Sequence, residues 1–229
     1  MQIAVTGATG FIGRYIVAHL TQAGHRCRCW YRESSDRTEM PVPDGAVEWV
    51  PGELGDPTSC RDLLEGCDAV VHTALDRPGV AFRGGEGDLL RFIETNLMGT
   101  IRLIETAREV GVPRFVFLST CAVHEIILDD RPLDETHPLW STHHYGAMKA
   151  AVEKFVHSYG FGSGYDICAL RPTGVYGLAH PPQRSKWFDL VQRVARGEDV
   201  EVQGGGKEVH AADVARAVGL LLTAEEIAG

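Results

Sequence analysis

Apolar residues in this chain fall into two alternating kinds of run. Short, almost unbroken runs predict strands at 2–6 (QIAVT), 26–31 (RCRCWY), 46–50 (AVEWV), 69–74 (AVVHTA), 114–119 (RFVFLS) and 165–170 (YDICAL). Between them, helices are predicted at 11–23, 57–65, 88–110, 144–160, 184–196 and 211–224. The longest, 88–110, carries Leu89, Phe92, Ile93, Leu97, Ile101 and Ile104 at mostly three- and four-residue spacing, the period of one helix face. Several strands are apolar over most of their length without strict alternation, as strands of a parallel sheet covered on both faces are. The β-α-β order then predicts an α/β fold with a doubly wound parallel sheet. Residues 76–88 (DRPGVAFRGGEGD) read as a mobile, glycine-rich loop and 203–207 (QGGGK) as a turn. The chain contains no internal repeat and no low-complexity segment.

Composition narrows the function classes. The chain has 229 residues, enough for a sizeable core, and a formal charge of −9, which argues against a broad nucleic-acid surface. No run of eighteen or more apolar residues suggests a membrane span. The first strand starts at Gln2 or Ile3, which leaves no room for a signal peptide. The six cysteines (27, 29, 60, 67, 121 and 168) form no C-x-x-C pair and are read as reduced thiols of a cytoplasmic protein. No metal site is expected. His143 and His144 are adjacent, so they point in different directions from a helix; either is a candidate to touch a substrate.

The candidate chemistry starts at residue 5, in VTGATGFIG, where Gly7, Gly10 and Gly13 sit between a strand and an apolar-faced helix. A helix N-terminus offers unpaired N–H groups and a partial positive charge, and a pyrophosphate fits there only if no side chain intrudes. Gly7 would permit the tight turn, Gly10 the approach of phosphate to backbone, and Gly13 the close packing of helix on strand.

The chain from TGATGFIG through VVHTA (70–74), NLMGTIRLIETAREVGVPRFVFLST (96–120), YGAMK (145–149), RPTGVYG (171–177) and HAADVARAV (210–218) resembles the extended short-chain dehydrogenases/reductases, the group that contains NAD-dependent epimerases and dehydratases. The resemblance covers nearly the whole chain. It implies a Rossmann core over 1–170 and a partial substrate lobe over 171–229 interleaved with it. That lobe is small: the chain is a short member, or its tail is absent from this sequence. The resemblance also implies a homodimer through the helices at 88–110 and 144–160. Cofactor contacts are expected from Gly7, Thr9, Gly10, Phe11, Ile12 and Gly13, from Glu53 and Leu54 in GELGD near the adenine, and from Thr73 and Ala74. Asn96, Lys149 and Pro172 complete the set. Asn96 supports the family's site through backbone contacts; the other reading is a polar residue on a partly exposed helix.

Binding of NAD uses an acid about twenty residues beyond the glycines, whereas an arginine there suits a 2′-phosphate. Here Tyr31 stands near that position and Arg32 follows, with Arg14 and Arg37 as further positive charge. NADP is expected ahead of NAD; the alternative leaves Arg32 in solvent and gives the ribose to Glu33.

Tyr145 and Lys149 are four apart and share a helix face. A free phenol titrates near ~10; a neighbouring ammonium favours the phenolate. Lys149 is expected to supply that charge and to bond the nicotinamide ribose, while Tyr145 exchanges a proton with the substrate oxygen. The resemblance adds Thr120, with Ser119 as its neighbour, as hydrogen-bond donors to the reacting oxygen. It leaves His124 as a pocket residue or, preferably, the end of a strand, and Arg171 as structural.

The function expected is NAD(P)-dependent oxidation–reduction or epimerisation at a carbinol or carbonyl carbon. The other class is a non-catalytic dinucleotide sensor, which typically lacks the Tyr/Lys pair. Cys121-Ala122 replaces the Asp-Glu pair of the family's dehydratases. Gly174 replaces an asparagine with which epimerases meet sugar-nucleotide phosphates, and only Lys207 stands near the place of an upstream arginine. The substrate is therefore a small molecule, either a sugar nucleotide or a simpler carbonyl or alcohol.

Overall fold

A computed structural model describes residues 1–78, 84–201 and 205–228. β1 (Gln2–Thr6) lies near the centre of a six-stranded parallel sheet. The chain leaves it through α1 (Phe11–Gln22) and builds β2 (Arg26–Tyr31) and β3 (Val47–Pro51) on one side. It then returns through α2 (Pro57–Leu64) to lay β4 (Ala69–His72), β5 (Arg114–Leu118) and β6 (Asp166–Leu170) on the other. The strand order is β3-β2-β1-β4-β5-β6. The winding direction reverses between β1 and β4, and a crevice opens there beyond the strand C-termini. This is the Rossmann arrangement.

Helices cover both faces, as the apolar strands demand. On one face α2, α4 (Gly99–Glu109) and α5 (His144–Ser163) enclose Leu63, Leu103, Phe115, Val152 and Ile167. On the other, α1 packs on α7 (Ala211–Thr223), burying Ile16, Leu20, Val218 and Leu222 with β1. The segment after residue 170 is thus divided: α7 belongs to the core. β7 (Gly174–Tyr176) and β8 (Glu208–His210) form a separate parallel pair, and α6 (Phe188–Ala195) has no buried residue.

Some elements differ from expectation. The helix at 88–110 is α3 (Leu89–Ile93), a π-turn (Glu94–Met98) and α4. The helix at 184–196 shortens because Pro181 and Pro182 start a 3₁₀ turn (Pro182–Arg184) before α6. α5 runs on to Ser163 and stops where Gly164 turns left-handed. The pair β7/β8 was not expected, since three-residue strands are too short to show a period. Of the glycine-rich loop, 79–83 lies outside the described residues, as does 203–204 of the turn. No helix is long and apolar enough to cross a membrane among the described residues.

Candidate active site

The glycine turn opens into a cavity of about 950 Å³ along the C-terminal ends of the strands. Gly7 adopts φ +70°, and a Cβ there would stand 2.5 Å from Thr73 Oγ1. A Cβ on Gly13 would stand 2.1 Å from the Gly7 carbonyl oxygen, so only a glycine lets α1 pack so close. Gly10 caps α1 without a side chain, and no acid occupies the first turn. The positive end of the helix is therefore open to an anion. Thr6 shapes the opposite wall: its Oγ1 accepts from the Thr73 and Ala74 N–H groups, both at 3.2 Å. These features fit a dinucleotide pyrophosphate.

Every residue expected at the cofactor or the chemistry lines this cavity except Asn96. Asn96 is buried in the π-turn. Its Oδ1 accepts from the Asp76 N–H at 2.7 Å, and its Nδ2 donates to the Asp76 carbonyl at 2.8 Å. It holds the loop after β4 from behind, so direct cofactor contact is replaced by backbone support. Arg32 lines the cavity and pairs with Asp76 at 2.8 Å, whereas Glu33 is exposed and off the cavity wall. Arg14 donates to the carbonyls of Asp36 and Thr38. Arg37 lies over the Tyr31 ring at 4.1 Å, away from the main cavity.

At the far end, α5 presents Tyr145 and Lys149, and the end of β5 presents Ser119 and Thr120. Burial pushes the Tyr145 phenol above its ordinary value; a hydrogen bond with Thr120 and the Arg77 guanidinium pull it back. Lys149 is buried, donates to the Leu118 carbonyl at 2.7 Å and lies over Phe117. Burial lowers it to about 7, opposed by Glu153. Arg77 thus brings positive charge to the phenol, while the Lys149 ammonium is engaged by the Leu118 carbonyl. The Ser119 hydroxyl donates to Glu153. That leaves Thr120 as the hydroxyl on Tyr145, although its oxygen also accepts from the Ala122 N–H at 3.2 Å.

A sequence profile described as the NAD dependent epimerase/dehydratase family matches residues 3–228. The chain belongs to that family. It is 30% identical over 200 residues to a 3-beta-hydroxysteroid dehydrogenase of Mycolicibacterium neoaurum, covering 83% of this chain and 52% of that protein. It is 29% identical to a UDP-glucose 4-epimerase of Streptomyces lividans, covering 93% of this chain and 69% of that one. The chain spans about half the length of the mycobacterial steroid dehydrogenases it matches. Among solved structures, a Thermus thermophilus UDP-glucose 4-epimerase in complex with NAD aligns with TM-score 0.77 and 28% identity, over 99% of this chain and 76% of that one. A dTDP-glucose 4,6-dehydratase of Streptomyces venezuelae with NAD bound aligns with TM-score 0.81 and 27% identity, over 100% and 74%.

In this family member the sequence reading misses His72 and Glu208, and the structure places His124 and His143 more closely than the sequence does. His72 is fully enclosed between Thr6 Oγ1 (2.6 Å) and Thr100 Oγ1 (2.8 Å). Thr100 donates onward to the Asn96 carbonyl, so His72 donates through Nε2 and accepts at Nδ1 as a neutral ring. Burial, and then Lys149, press it down to about 3. His124 ends no strand: it sits in a 3₁₀ turn (Cys121–His124), buried beside Arg171. Of the adjacent histidines, His143 lines the cavity and caps α5 through Nδ1, which accepts from the Gly146 N–H at 3.0 Å; His144 is exposed. Glu208 leans over Gly174, where a Cβ would meet its carboxylate at 2.5 Å, and pairs with Lys186 at 2.6 Å. Apart from the local His143 cap, no spacing rule signals these contacts, since each joins segments distant in sequence.

Proposed function

We propose that this chain is an NAD(P)-dependent oxidoreductase or epimerase in which Tyr145 exchanges a proton with the oxygen of a carbinol or carbonyl substrate. The observation that carries this reading is that Tyr145, with Thr120 bonded to it, shares one cavity with the glycine turn. A nicotinamide dinucleotide would supply hydride acceptance or donation there. The chain's own residues do the rest. Gly7, Gly10 and Gly13 keep the pyrophosphate position clear, and Glu53 and Leu54 border the adenine end. Thr73, Ala74 and Pro172 wall the ribose and nicotinamide end, and Lys149 lines the same wall with its ammonium on the Leu118 carbonyl. Thr120 orients the substrate oxygen, and Arg77 favours the phenolate form of Tyr145 when it accepts a proton.

NADP is the preferred cofactor in this reading, because Arg32 and Ser35 border the cavity where an acid would serve NAD. The names of the relatives point to sugar nucleotides or to a steroid alcohol. The Glu208 carboxylate beside Gly174 disfavours a diphosphate at that wall and favours a simpler carbonyl or alcohol. A homodimer through α3–α4 and α5 is supported by exposed Leu90, Met98, Phe155 and Phe161. A reducing, cytoplasmic location is supported by six unpaired cysteines.

The test is Tyr145→Phe, assayed against a panel of carbonyls, alcohols and sugar nucleotides. Turnover is expected to fall by about 10²–10⁴, with cofactor affinity near that of the unaltered protein. Unchanged turnover removes Tyr145 from the chemistry. Cofactor binding with no turnover on any substrate, in the unaltered protein, favours the sensor reading.

A further inference from the structure

Glu153 is the single acid of α5 and has no exposed surface, although a carboxylate on a helix ordinarily faces water. Its two oxygens are claimed from two other segments. Ser119, at the end of β5, donates to Oε1. Arg171, just past β6, donates to Oε2 through Nε at 2.9 Å and Nη2 at 2.6 Å. Arg171 continues the chain, with Nη1 at 3.0 Å from His124 Nε2 and 3.3 Å from the Glu135 carbonyl. Arginine only donates, so His124 accepts at Nε2 and donates from Nδ1 to the Pro138 carbonyl at 3.3 Å. One buried carboxylate therefore ties the ends of β5 and β6, and the segment leading into α5, to α5 itself.

The same carboxylate stands one turn beyond Lys149, which stands one turn beyond Tyr145, so all three share a helix face. The groups around the Lys149 ammonium are Glu153 on its own helix, the neutral His72 from β4, and the Leu118 carbonyl with the Phe117 ring from β5. Glu153 is the anion that favours the charged form of Lys149.

We propose that Glu153 is the positioning residue of this site: by bridging Ser119 and Arg171 it aims Thr120 at Tyr145, and it holds a negative charge behind Lys149. This rests on Tyr145, Thr120 and Lys149 being the reacting wall. A buried ion pair is weak evidence for stability, since apolar replacement of both partners is often neutral or stabilising. That property separates a positioning role from a structural one. In Glu153→Gln the Arg171 guanidinium loses its counter-ion and folding itself suffers; the paired Glu153→Met/Arg171→Met removes both charges and retains volume.

The experiment labels lysine at 13Cε. The chain has four lysines, and Lys149→Met identifies the signal of Lys149. In the paired variant, shown folded by its melting curve, the Lys149 titration midpoint is expected to move to lower pH. The pH at which turnover declines on the alkaline side is expected to move with it, and kcat to fall roughly 10- to 100-fold through misplacement, with KM for cofactor changed far less. A folded paired variant with unaltered midpoint and kcat overturns the proposal. If the midpoint moves while Tyr145→Phe retains full activity, the link from Glu153 to Lys149 stands and the catalytic reading alone falls.

Discussion

Arg32 pairs with Asp76 at 2.8 Å, with 54% and 36% of the two side chains exposed. An ion pair so open to water is worth at most about 1 kcal/mol, so a phosphate can displace Asp76 at little cost. Charge-assisted bonds to a phosphate contribute about 1.5–3 kcal/mol. Arg32→Ala is therefore expected to weaken NADP binding by roughly 10- to 100-fold and to leave NAD affinity nearly unchanged. Fluorescence titration with each reduced cofactor measures this, and equal losses for both would place Arg32 away from the 2′-phosphate. Arg14 and Arg37 are occupied by carbonyls and aromatic rings respectively, which concentrates the expected effect on Arg32.

Among the elements, α1 and α5 set the site, and each does so through its packing. α1 lies so close to β1 that an alanine Cβ at Gly13 would overlap the Gly7 carbonyl, a backbone atom with no freedom to turn aside. At Gly10 the same atom would stand 3.1 Å from that carbonyl. Gly13→Ala is thus expected to cost about 1–3 kcal/mol of stability as well as cofactor affinity, and Gly10→Ala to affect affinity more than stability. Parallel urea unfolding and cofactor titrations of the two variants measure the ranking; equal stability would mean α1 shifts without resistance. α5 acts through register, placing Tyr145, Lys149 and Glu153 in line over β5. The π-turn places Asn96 behind the loop that carries Asp76 and Arg77.

For the whole molecule, the reversal of winding between β1 and β4 places the glycine turn and the Tyr145 wall on one crevice. Beneath it, His72 crosses from β4 to the π-turn and α4, stacked on Phe117. Its folded value of about 3 lies below the ordinary 6.5, so between these pH values the unfolded chain binds a proton that the fold refuses. Stability therefore increases with pH across that window and is lost as pH falls through it. Urea unfolding from pH 7 to pH 4 is expected to show a declining midpoint, with a shallower decline in His72→Gln. An identical slope in both proteins would assign acid sensitivity to other groups.

The pattern of apolar positions by itself determined the alternation of strand and helix, the parallel sheet and the glycine turn, because these follow from local period and from backbone room near residues 7 to 13. The Tyr145–Lys149 pair was equally readable, since four residues along one helix share a face whatever surrounds them. Packing alone decided the rest. Glu153 reads in sequence as one more helix acid, and becomes the buried tie between strand ends only when β5 and β6 lie beside α5. Lys149 shares the face of Tyr145 but donates to the Leu118 carbonyl, and Arg77 brings a further positive charge to the phenol from a loop distant in the chain. Charges act through space and against burial, and neither quantity is written in the order of residues.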